Sequence, residues 1–185
     1  MMSDPSIVLR ELVSREPVRL GALPHDHGIY ALHDHAGAIR YIGITKSIDS
    51  GFFDRIHNRH VTGSEGRSHK FSHAYNTGRM WRSKRDASPD ACLAKRLRAQ
   101  FIRRYCRATF VGVPLSLHAE LPGLEKAVKA LAPQGMDDWA DTRTFVPEIE
   151  PAELVDALLD DLRFSPDQRA AIERQAALYA ARLAD

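Results

Sequence analysis

Apolar residues recur at helical spacing in SIVLRELVS (Ser6–Ser14), before Pro17 and Pro24 interrupt the pattern. Two segments rich in Ile, Tyr and Leu follow, Gly28–Leu32 and Ile39–Thr45, and each reads as a strand. Between them HDHAGA supplies Asp, His and Gly for a tight connection, so a hairpin is expected. With Asp34 opposite Gly37, Tyr30 falls opposite Tyr41, and cross-strand partners share one face of a sheet. Downstream, GFFDRIHNRHV predicts a helix capped by Asp49, with Phe52, Phe53 and Ile56 inward and Arg55 and Arg59 together on another face. SHKFSHAYNTGRMW predicts a second helix, with Phe71, Tyr75 and Trp81 inward. SPDACLAKRLRAQFIRRY predicts a third, opened by Ser-Pro. RATFVGV reads as a third strand, and PGLEKAVKALAP as a helix whose apolar stripe is Leu124, Val128 and Leu131.

Pro147 and Pro151 bracket PEIEP, a linker, and beyond it lie two acidic amphipathic helices, PAELVDALLDDL and SPDQRAAIERQAALYAARL. The expected architecture is a small α/β fold, a three-stranded mixed sheet flanked by helices, with a C-terminal helical extension. Its division would be an N-terminal helix and linker (1–24), a central domain (25–133), a linker (134–150) and the acidic helices (151–185). Those helices are expected to pack on the domain or to join two copies as a homodimer.

Length and composition suit one core with a modest extension: 185 residues, 44% hydrophobic and 27% charged. No apolar run approaches the roughly 20 residues of a membrane span, and the N-terminus lacks a signal-peptide pattern. The two cysteines, Cys92 and Cys106, have no zinc-type spacing and read as buried, reduced thiols of a cytoplasmic protein. The net charge of +2 conceals segregation. From Arg79 to Arg107, ten Lys or Arg stand against two acids, whereas from Asp137 to Asp185 twelve acids stand against five arginines. A basic surface of that size points to a polyanion, and nucleic acid is the expected partner. The pairs His25/His27 and His33/His35 have spacing that chelates zinc on a strand, but a polar hairpin entrance and turn explain them as well.

The tripeptides Gly28-Ile29-Tyr30 and Tyr41-Ile42-Gly43 stand eleven residues apart in the hairpin, followed by a helix carrying Arg55 and a later helix carrying Glu125. In these features residues 25–133 resemble the GIY-YIG nucleases. The resemblance implies metal-dependent hydrolysis of a DNA phosphodiester, with Mg²⁺ or Mn²⁺ held by Glu125. Such a reaction needs an activated water, stabilised charge on the phosphate oxygens and help for the leaving oxygen. Arg55 offers a planar, permanently charged donor to the phosphate. Tyr30 or Tyr41 would hold or deprotonate the water, which requires nearby cations to lower a phenol's pKa, and Lys46 just after the second strand is such a cation.

The sequence also departs from the family pattern. Many members carry His or Tyr four residues after the helical arginine. Here that position is Arg59, so either His60 turns in as acid or base or Arg59 supplies a second phosphate contact. An Asn often found after the Glu-bearing helix is absent, with Asn76 as a structural substitute. Arg79, Arg82, Lys84 and Arg85 are expected to contact DNA. The alternatives are a non-catalytic nucleic-acid-binding or regulatory protein on the same scaffold, and an interaction protein whose acidic tail masks the basic surface.

Overall fold

Strand β2 (Gly28–His33) is central to the fold, and a single aspartate sets its pairing. In the computed structural model, which describes residues 4–63 and 70–184, Asp34 is buried and its Oδ1 accepts the backbone N–H groups of Ala36 (3.0 Å) and Ala38 (2.9 Å). Gly37 closes the turn at φ +88°, a left-handed conformation that costs a residue without a Cβ nothing. The chain returns as β3 (Ile39–Ile44) with Arg40 as an extra residue, since His33 pairs with Ile39 but Leu32 pairs with Tyr41. Arg40 Nε donates to Asp34 Oδ2 (2.9 Å), which holds the bulge in place.

Tyr30 therefore lies opposite Gly43, and not opposite Tyr41 as the simple hairpin predicts. The longer turn moves the register by one residue and the bulge moves it by another. A slip of one would have sent Tyr41 to the opposite face, whereas two slips leave both phenols on one face as diagonal neighbours.

On its other side β2 pairs with β4 (Arg107–Gly112), and a two-residue β1 (Val18–Arg19) pairs with β4. The order is β1-β4-β2-β3 with every pairing antiparallel, so the expected three-stranded mixed sheet is corrected to four antiparallel strands. Two residues after Pro17 carry no readable alternation. The direction of β4 depends on the long path back from β3, which no local pattern encodes.

Helices cover both faces. On one, α1 (Pro5–Ser14) and α4 (Leu121–Leu131) place Val8, Leu12, Leu124 and Val128 against Ile29, Ala31, Ile42 and Ile44. Leu131, the last member of the predicted stripe, is 54% exposed because the helix ends there. On the other face lie the helical segment 52–62, α2 (Lys70–Ala74), α3 (Pro89–Tyr105), α5 (Ala152–Asp161) and α6 (Pro166–Ala184). Helix α3 starts as expected, with the Ser88 side chain accepting the Ala91 N–H (3.2 Å) ahead of Pro89. The predicted helix 68–81 is cut to α2, with Ser68 and His69 outside the described residues. The Asn76 side chain exchanges hydrogen bonds with the Arg82 backbone (2.9 and 3.1 Å) and folds the chain back.

Val155, Leu158, Leu159 and Ile172 of the C-terminal helices enter the same apolar cluster as Leu97, Phe101 and Ile102. Each such burial is worth about 1.5–3 kcal/mol, so the extension is part of the main core, and this apolar face is consumed within the chain. The stretch 134–150 is likewise packed. Trp139 is buried against Phe71 and Tyr75, its backbone N–H donates to Arg40 O (3.1 Å), and the Glu148 backbone N–H donates to Ala74 O (2.8 Å). Of the cysteines, both free, Cys106 is buried but Cys92 is exposed. No helix among the described residues is long and apolar enough to cross a membrane.

Candidate active site

The two tyrosines of the hairpin stack at 6.2 Å between ring centroids, with 17° between their planes. Gly43 makes this arrangement fit. A Cβ there would stand 2.7 Å from both Tyr30 Oη and Tyr41 Cε1, closer than carbon tolerates. Tyr30 is fully buried, and Tyr41, on the edge strand, is partly exposed.

The segment after the hairpin is a π-helix over Asp54–His60, with the Val61 N–H bonded to Ile56 O five residues back. In an α-helix, Arg55 and Arg59 would share a face. The wider π ladder brings the residue five positions on above Arg55, which is His60. Accordingly His60 is buried against the phenols, with its Nε2 2.7 Å from Tyr30 Oη and its ring 4.9 Å from that of Tyr41, while Arg59 is exposed. Of the two ways the sequence offered to fill the place after Arg55, the structure selects His60.

Arg55 faces both phenol oxygens. A guanidinium only donates, so the Tyr30 oxygen accepts from it and also shares a hydrogen bond with His60 Nε2, whose direction follows the imidazole tautomer. Burial pushes the Tyr30 phenol well above its ordinary pKa, Tyr41 beside it adds to the rise, and Arg55 offsets only part. Tyr41 is raised as well, chiefly by burial, with Arg55 and then Lys129 pulling against it. The expected depression of a phenol by Arg55 and Lys46 is thus reversed, because desolvation of the phenolate outweighs the cations.

Glu125 stands in α4 beside the edge strand, and Lys129, one turn on, links it to the tyrosines. Lys129 Nζ is 3.0 Å from Glu125 Oε1, 3.1 Å from Asp137 Oδ2 and 5.7 Å from the centre of the Tyr41 ring. Asp137 is anchored to the sheet, its Oδ1 accepting the Ile42 N–H (2.7 Å). Lys46 lines a cavity of about 500 Å³ with Glu125, Thr45 and His118. Beside Arg55, the lysine against Tyr41 is therefore Lys129, which sequence reasoning missed although its i,i+4 spacing from Glu125 was readable. Asp137 had no local signal.

The candidate DNA contacts divide. Arg79 is tied into ion pairs with the C-terminal segment. Its side chain is 12% exposed, with Nε donating to Glu150 Oε1 (2.6 Å), a second nitrogen on Asp156 (2.5 Å) and a third on Ala152 O (3.2 Å). Arg82, Lys84 and Arg85 lie on the loop between Met80 and Ser88, where Lys84 and Arg85 are exposed. Asn76 is buried and holds this loop and Arg98, away from the phenols. His33 bonds Thr109 Oγ1 (3.1 Å) and His35 meets Tyr75 Oη (3.2 Å), so these histidines serve the hairpin.

No family model matches this chain, and neither a curated protein nor a solved structure matches it.

Proposed function

We propose that the protein is a metal-dependent endonuclease acting on DNA through a GIY-YIG-type site. The observation that carries this reading is the convergence of Tyr30, Tyr41, Arg55 and His60 on one face of the hairpin, with Glu125 joined to Tyr41 through Lys129. Arg55 would donate to a non-bridging phosphate oxygen, and Tyr41, the more accessible phenol, would hold the attacking water. Tyr30 and His60 would form a proton path behind it, through the 2.7 Å hydrogen bond between Oη and Nε2.

Glu125 and Asp137 offer hard carboxylate oxygens, which suit Mg²⁺ or Mn²⁺ bound by one or two carboxylates and water. Among the described residues no group of three or more His, Cys, Asp or Glu is placed to hold a metal ion. Bound there, the ion would supply positive charge to the phosphate and the leaving oxygen.

The test is incubation with Mg²⁺ and a panel of labelled DNA and RNA. The expected result is cleavage of DNA that EDTA abolishes. Binding without cleavage in any divalent ion would favour the non-catalytic reading, which the raised pKa of both phenols supports because a neutral phenol is a poor base. Charge reversal at Arg82, Lys84 and Arg85 should weaken DNA binding and flatten its dependence on salt, since each phosphate contact releases counterions. An unchanged slope of log affinity against log salt would place the DNA elsewhere.

A further inference from the structure

We propose that Lys129 is a resident counter-cation of the Glu125–Asp137 pair, which a divalent ion must displace, so that metal occupancy is set by competition with a side chain of the protein itself. The inference rests on the endonuclease reading and names how that site is regulated. Its basis is that one ammonium spans two carboxylates on different elements, 3.0 Å from Glu125 and 3.1 Å from Asp137.

The three groups differ in their freedom to move. Asp137 is pinned by its other oxygen to the backbone of β3 at Ile42. Glu125 can turn only within its rotamers on α4. Lys129 has a flexible four-carbon stem, and the Tyr41 ring 5.7 Å from its Nζ offers the released ammonium a second resting place. The lysine is therefore the group that yields.

The ammonium sits between the two carboxylates. Without metal, the pair carries a net single negative charge instead of two, which lowers repulsion of an approaching phosphate. Displaced, the ammonium would remain beside the Tyr41 ring.

The experiment is calorimetric titration of the full chain with Mn²⁺ in the absence of nucleic acid. Lys129→Met, which keeps the stem and removes the charge, should bind Mn²⁺ about tenfold or more tightly than the wild type. Lys129→Arg should stay near the wild-type affinity, and adding Glu125→Gln to Lys129→Met should reverse the gain. If Lys129→Met fails to fold by circular dichroism, Lys129→Gln carries the same expectation. A folded, uncharged variant that binds Mn²⁺ no more tightly than the wild type overturns the competition. Tighter binding by a variant when no form of the protein cuts any substrate would leave the competition standing and remove the nuclease reading.

Discussion

Tyr41→Phe should leave the fold intact and slow single-turnover DNA cleavage by roughly 100-fold or more, the usual scale for a positioned acid or base. The change keeps the ring that stacks on Tyr30 and lies under Lys129. It removes only the hydroxyl of a side chain on the edge strand, open in part to solvent. Tyr30→Phe should differ. Its hydroxyl is buried and bonded to His60 Nε2, so its loss should cost about 1 kcal/mol of stability as well as rate. Glu125→Ala should lose cleavage while binding DNA as before. Full activity in both Phe variants would make the pair a packing arrangement and leave the binding module as the better account.

Arg79→Ala should destabilise the protein by about 3 kcal/mol, the low end for breaking a buried ion pair, because Asp156 remains in water. For a chain of this length that corresponds to a fall in Tm of roughly 10 °C. The reason is the place of the guanidinium: it ties the turn at Gly78–Met80 to Glu150 and to the start of α5, and its removal strands Glu150, whose side chain is 15% exposed. Lys84→Ala, on the exposed loop, should leave Tm unchanged and weaken DNA binding instead. An Arg79→Ala protein with wild-type Tm and reduced DNA affinity would return Arg79 to the nucleic-acid surface.

This pairing also recasts the charge segregation along the chain. Among the ten basic residues from Arg79 to Arg107, Arg79 is held by Glu150 and Asp156, Arg104 by Asp161, and Arg98 is buried with Asn76 and Met80 O. Asp90, one of the two acids in that stretch, pairs with Arg174 of α6. The acidic helices thus neutralise part of the basic surface within one molecule, and the apolar contacts of Val155, Leu158 and Ile172 keep them there.

Local patterns were enough to read the hairpin, the cap of α3 at Ser88, the inward faces carrying Phe52, Ile56, Phe71 and Tyr75, and the two tyrosines on one side of the sheet. Each depends on periodicity or on hydrogen bonds between residues a few positions apart, and those are written into the chain directly. Tertiary structure alone decided the rest. The register followed from Asp34 and the Arg40 bulge, and parity happened to preserve the shared face. His60 entered the site because residues 54–60 wind as a π-helix. Arg79 is drawn off the basic surface because Glu150 and Asp156, more than seventy residues away, close on it. Lys129 joined the site because α4 packs beside β3, and Asp137 because the 134–150 stretch returns to the edge of β3 at Ile42. Apart from the register, whose Asp34 contacts are local, the deciding partner is distant in sequence, and a charge or a phenol shows its role only once burial has chosen which neighbours it keeps.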